Sequence, residues 1–401
     1  MGRSWMTPLW AAGILVSGMS AGPSVAAMGT LQGDFTVNFR TGPIAPQLLP
    51  LGSTVPQVAN LSDAQQEELD ELLRQAQDRV SARDYAGAIA LYQRAIRIDP
   101  NNARLYSGIG YLYVRQGQYQ EAIEPYRQAI ARDTNNIPFR YALAHAYVQL
   151  ENYNQAIATY RAITEIQPNQ ADAYLGLGGV YITLENYDEA LKAYEQLGRL
   201  SPNNPQVYGA MGSLYLIQRD YRAARDYFQR AIAIDRNRSE LYVGLADAQL
   251  ALNERDGAFR SLQEAVRINA SDAEAQFLLA ELYRERGNED QAYRHYRLAV
   301  QADPTLLAAQ AAVGAMHLAR EEFVQAVLSY RRLTAALPNN AGAHYNLGLA
   351  LWGQGLRNQA VDAVLRSRRL YEREGELAGV DRVDALLELW NVNLDDVGVA
   401  P

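Results

Sequence analysis

The chain has 401 residues, and 45 acidic against 37 basic side chains leave a formal charge of −8. That balance argues against a nucleic-acid partner, whose phosphates need a basic surface to release counterions. The lack of cysteine excludes disulfides, thiolate metal sites, a thiol nucleophile and a lipoprotein anchor.

Residues 1–27 have the pattern of an export signal: Arg3 in a short n-region, an apolar run from Leu9 to Met19, and small residues around Val25, Ala26 and Ala27. The run falls short of the roughly 20 apolar residues that cross a bilayer as a helix. Cleavage is therefore expected, with a membrane tie only if the segment stays uncleaved. The mature protein is expected to be exported and soluble, in the periplasm first, with a thylakoid lumen or the medium as alternatives. Residues 28–61 read as an extended linker, because Pro43, Pro46, Pro50 and Pro56 cannot sit inside helices. Within it Phe35, Val37 and Phe39 alternate with polar residues as a half-buried strand would. That segment reads as a tail resting on the surface, or as one that lies in the protein's own groove or pairs with a partner's sheet edge.

From Ser62, which forms a capping box with Gln65, an array of helix pairs runs to residue 374. Residues at fixed offsets recur every 34 positions, giving nine units that begin at Leu69, Ala103, Ile137, Ala171, Pro205, Ser239, Ala273, Leu307 and Ala341. Position 20 of every unit is alanine, from Ala88 to Ala360, and position 8 is always alanine or glycine. Large rings fill position 24 (Tyr92, Tyr126, Tyr160, Tyr194, Phe228, Tyr296, Tyr330) and position 11 (Tyr113, Tyr147, Tyr181, Tyr215, Tyr283). A mid-helix glycine costs about 1 kcal/mol against alanine, so its reuse at position 8 predicts a close helix crossing. Pro100, Pro168, Pro202, Pro304 and Pro338 end units, and Asn101, Asn102, Asn135, Asn136, Asn203, Asp272 and Asn339 are placed to cap the next helix. Gln75 and Arg79 in the first unit, and Val364 and Ser367 in the last, break the pattern as wettable terminal faces would. Residues 375–401 hold a closing helix, with Val380, Val383, Leu386, Leu387 and Trp390 on one stripe, and a tail from Asn391 expected to be disordered.

These positions resemble the tetratricopeptide repeat family over Leu61 to Tyr371. The resemblance implies an all-α, right-handed superhelical solenoid of helix-turn-helix repeats. It also implies that the first helices line a concave groove for peptides or proteins. The fold hosts many roles, so it fixes no pathway.

No catalytic or metal constellation is visible. His145, His295, His317 and His344 share no ligand spacing, and the glycines at Gly108, Gly110 and Gly176 to Gly179 lie in helices with no preceding strand or phosphate-loop motif. A non-enzymatic binder without cofactor is expected. Of 26 tyrosines, those outside the packing positions include Tyr111, Tyr141 and Tyr345 on first helices. With Arg104, Arg115, His145 and Gln149 the first two make a candidate groove patch, and Phe277, Tyr345 and Trp352 beside Glu281 and Glu285 make another. The fifth position never holds Lys or Arg and the ninth never holds Asn, so the family's chaperone carboxylate clamp is absent. The expected role is an exported scaffold for an envelope, secretion or lumenal complex, monomeric. The alternative is a structural protein that stacks through its solenoid ends.

Overall fold

The computed structural model describes residues 61–392, all helix and turn; the export signal, the Phe35–Val37–Phe39 segment and the last nine residues lie outside them. The described chain divides between Ile234 and Asp235 into two compact units.

In the first unit the helices are α1 (Asp63–Ser81), α2 (Tyr85–Ile98), α3 (Ala103–Arg115), α4 (Tyr119–Arg132), α5 (Ile137–Gln149), α6 (Tyr153–Ile166), α7 (Ala171–Thr183), α8 (Tyr187–Leu200), α9 (Pro205–Ile217) and α10 (Tyr221–Ile234). Each odd helix packs on the even one after it, and each even helix on the next odd one. The second unit continues with α11 (Ser239–Ala251), α12 (Arg255–Ile268), α13 (Ala273–Glu285), α14 (Glu289–Ala302), α15 (Leu307–Ala319), α16 (Phe323–Ala336), α17 (Ala341–Gly353), α18 (Arg357–Glu374) and α19 (Leu377–Leu389).

The packing rule is a ring seated on a small residue. A Cβ added to Gly178 would stand 2.7 Å from the Tyr194 ring, one added to Gly110 2.9 Å from Tyr126, and one added to Gly212 3.0 Å from Phe228. What comes close is thus the aromatic side chain of the paired helix, more than its backbone. Rings at the same position also meet the next unit: Tyr92 lies 3.0 Å from the Cβ position of Gly108, and Tyr160 2.6 Å from that of Gly176. Burying a large apolar side chain stabilises by roughly 3 kcal/mol, which outweighs the helix cost of about 1 kcal/mol for the glycine beneath it. The position-20 alanines from Ala88 to Ala360 have no exposed surface.

Each turn between paired helices has a residue with positive φ at position 15. These are Arg83, Gly117, Glu151, Glu185 and Arg219 in the first unit, and Asn253, Gly287, Glu321 and Gly355 in the second. The next residue then donates its N–H back into the first helix, as Asn186 does to the Tyr181 carbonyl at 2.8 Å, the closing bond of a Schellman turn. A non-glycine residue there costs about 1 to 2 kcal/mol.

The far end of five pairs is closed differently, while at a sixth Tyr208 donates to the Gly198 carbonyl instead. The side chain at position 4 of the following unit donates to the carbonyl at position 32: Tyr106 to Pro100 at 3.1 Å, Arg140 to Thr134 at 2.7 Å, Gln276 to Ala270 at 2.9 Å and His344 to Pro338 at 3.1 Å, with Gln310 doing the same to Pro304. Position 4 therefore does more than pack, the only role its residue types suggest in the sequence. Asn102, Asn136 and Asp272 cap the next helices as expected. At two other junctions the cap is one residue later than expected, at Asn204 and Asn340 and not at Asn203 and Asn339.

Side-chain rungs tie neighbouring repeats at an offset of 30 residues, such as Gln218 to Asp188 at 2.8 Å in the first unit and Arg320 to Asp290 at 2.9 Å in the second. At the C-terminal end, Gly375 with φ 73° stops α18, and α19 folds back onto it. Val364 and Ser367 are fully buried there, the Ser367 hydroxyl donating to the Ala341 carbonyl at 2.8 Å. They are therefore not a wettable outer face, because α19 brings Val383, Leu386 and Leu387 into the same core cluster as Val364. Arg368 clamps α19 through both Asp384 oxygens, at 2.6 and 3.1 Å.

Two substitutions test these rules. Ala190→Leu is expected to overpack the crossing and lower stability by about 1 to 3 kcal/mol in a urea melt; an unchanged melt would contradict the register. At Gly117 an added Cβ meets nothing within 4 Å, so Gly117→Ala isolates the φ penalty. It should cost about 1 kcal/mol, with a gain for Glu185→Gly in the same assay as the complementary result.

Candidate functional site

On α3 the four-residue step from Tyr111 to Arg115 puts phenol and guanidinium side by side. Arg115 Nη1 donates to the Tyr111 hydroxyl at 2.9 Å, and Nη2 to the hydroxyl of Tyr85 on α2 at 3.4 Å. The guanidinium carbon also lies 5.8 Å from the Tyr111 ring centre and 5.9 Å from that of Tyr85, the range of a weak cation–π attraction. Both phenols favour the charged guanidinium and hold its pKa above the ordinary arginine value, Tyr111 most strongly. Arg115 itself is exposed and the two rings are half-buried. Tyr85, at position 17, has the sequence character of a packing residue and is missed as part of the patch. The signal that could have found it is the 30-residue offset, which Arg255 and Glu285 use again in the second unit.

The other candidates of this patch sit differently. Arg104 is exposed at the start of α3, where its N–H meets the Asn102 cap at 3.2 Å. Tyr141 is buried, only 9% exposed, with its ring edge-on to Tyr160 at 6.3 Å. The expectation of an exposed aromatic there is corrected. Position 5 lies beside the large position-24 ring of its own unit, and that contact takes the tyrosine into the packing. Its hydroxyl makes no hydrogen bond of good geometry, and burial pushes its ionisation far above the usual phenol range. His145 is half-buried, edge-on to Tyr119 at 6.0 Å, and burial lowers its proton affinity. Gln149 is half-buried at the end of α5. The structure thus joins Tyr111 and Arg115 and turns Tyr141 and His145 toward α6 and α4.

In the second unit Phe277 is half-buried, 5.9 Å from the Tyr296 ring. Glu281 accepts from the Tyr296 hydroxyl and pairs with Arg284 at 2.7 Å, while Glu285 pairs with Arg255. Tyr345 is half-buried against the cluster under α19. Trp352 stacks face to face on Trp390 at 4.0 Å, and the Arg357 guanidinium lies over its ring at 3.7 Å. These side chains are engaged in internal packing and pairing. Among the described residues no three His, Asp or Glu side chains are placed to hold a metal ion, and no helix is long and apolar enough to cross a membrane.

Comparison with known proteins adds the family. A profile described as tetratricopeptide repeat matches residues 141–205, 180–239, 209–271 and 243–306, and one described as anaphase-promoting complex, cyclosome, subunit 3 matches 81–163. All but the last residue of helix α1, and the helices from α15 onward, lie beyond these matches. No curated protein matches the chain. Among solved structures, the C-terminal part of a repeat-containing protein from Cytophaga hutchinsonii aligns with TM-score 0.51 and 19% identity, over 59% of this chain and 97% of its own. A tetratricopeptide repeat protein from Parabacteroides merdae aligns with TM-score 0.41 and 20% identity, over 62% of this chain and 98% of its own. YrrB, described as having an unusual peptide-binding site, aligns with TM-score 0.41 and 21% identity, over 47% of this chain and 96% of its own. With the ring-on-glycine packing, the paired helices and these profile matches together, the chain belongs to the tetratricopeptide repeat family.

Proposed function

We propose that this chain is a non-enzymatic scaffold, exported to the periplasm, that holds a segment of another protein against the face of α3 and helps assemble an envelope or secretion complex. The repeat fold supports the coarser part, a protein-binding scaffold. The observation that carries the site is the exposed Arg115 guanidinium held between the Tyr85 and Tyr111 phenols. A cation with two half-buried rings offers charge, hydrogen bonds and apolar area at one place, the combination found at energetic centres of interfaces. The export part rests on the leader pattern from Arg3 to Ala27.

A second reading, association of copies through the C-terminal end, has Leu377 and Leu389 in its favour, at 72% and 53% exposed. Sedimentation equilibrium separates the two. A groove binder stays monomeric as concentration rises, and end stacking gives a growing mass that Leu377→Ser with Leu389→Ser reverses.

The decisive experiment is capture from a periplasmic extract by the wild type and by a Tyr111→Ala, Arg115→Ala variant. Loss of a captured protein with the variant, at unchanged thermal stability, is expected; equal capture by both would move the site elsewhere. Tyr141 serves as the contrast. Tyr141→Ala should lower stability by about 3 kcal/mol, as truncation of a buried ring does. Tyr141→Phe should be neutral or stabilising, because it removes a buried hydroxyl that lacks a well-formed hydrogen bond. A Tyr141→Ala protein that melts like the wild type would return that residue to the surface.

A further inference from the structure

The charge on α3 and α5 runs against the rest of the chain. Over Ala103–Arg115 and Ile137–Gln149 the sequence holds Arg104, Arg115 and Arg140 and no aspartate or glutamate, in a protein whose formal charge is −8. Acidic residues crowd α1 instead, at Asp63, Glu67, Glu68, Asp70, Glu71 and Asp78. On the first helices the acid-free stretch ends at Asp172, near the start of α7.

Within this stretch the three arginines are not equivalent. Arg140 Nη2 is committed to the Thr134 carbonyl at 2.7 Å, closing the unit before it. Arg115 closes nothing. Among the described residues its partners are two phenol oxygens and no carboxylate. A guanidinium carries five N–H donors in a rigid fork, and these two bonds leave donors for a further acceptor. Neutral phenols orient the fork without cancelling its charge. The residue is therefore held in place with its charge uncompensated, which lowers the ordering cost of binding an anion there.

We infer that the α3 and α5 face takes an acidic peptide segment, with Arg115 as the anchor for one of its carboxylates. This rests on the scaffold reading above and specifies its partner. Charge complementarity selects the occupant: a basic segment would meet the exposed Arg104 and Arg115 on a helix without an acid, and an apolar one would leave Arg115 buried and unpaired, which is costly. The α13 face, with Glu274, Glu281 and Glu285, has the opposite balance and is not part of this site.

The test is selection of binders from a random dodecapeptide display library by the full chain, by Arg115→Gln and by Arg115→Lys. The chosen peptides are then measured by fluorescence anisotropy. Wild type should select peptides enriched in Asp and Glu over the starting library. Their affinity should fall about tenfold or more with Arg115→Gln, the loss expected for one charge-assisted pair, and when their carboxylates are replaced by amides. Arg115→Lys should recover part of it, keeping the charge but not the fork. Selected peptides without acidic enrichment, or acidic peptides that bind Arg115→Gln equally well, overturn the inference and leave the scaffold reading standing. If wild type selects no peptides at all, the scaffold reading falls and this one with it.

Discussion

The structure depends on one contact made again and again: an aromatic ring at position 24 laid on a residue too small to push it away. Tyr194 on Gly178 and Tyr126 on Gly110 fix how near two helices come. Other rings at position 24, Tyr92 on Gly108 and Tyr160 on Gly176, fix how one unit meets the next. One repeat position thus serves both the crossing within a pair and the step between pairs. Helix propensity points the other way at those glycines, and the burial of the ring outweighs it.

Much of this was legible in the sequence because side-chain volume is written into the chain as columns. The alanines from Ala88 to Ala360, the small residues at position 8 and the rings at position 24 each report a distance that cannot vary. The backbone was less legible. Six of nine position-15 residues with positive φ are arginine, glutamate or asparagine, so the glycines at Gly117, Gly287 and Gly355 do not stand out as a column. The closing bonds at position 4 were hidden for a related reason. Tyrosine, arginine, glutamine and histidine share only a donor at the right reach, and a reading by residue type sees no pattern in them.

The candidate site was legible in part. Tyr111 and Arg115 emerge from their position on a first helix, but Tyr85 completes them from 30 residues upstream of Arg115, a distance that helix periodicity does not span. Tyr141 failed for a packing reason. Whether a position-5 side chain faces solvent depends on the ring beside it as well as on its own helix, and in this unit Tyr160 takes it in. In the second patch the partner of Trp352 was not legible, since Trp352 and Trp390 meet only because α19 returns over α18, which no repeat position encodes.

The closing bonds also give the array a direction. Each donor, from Tyr106 to His344, lies six residues after the carbonyl it satisfies. At these five junctions the carbonyl that ends a unit lacks this donor until the first turn of the next unit has formed. There the later unit finishes the earlier one, and never the reverse. Helix α19 ends the series because the stop at Gly375 is local and needs no donor from a later repeat.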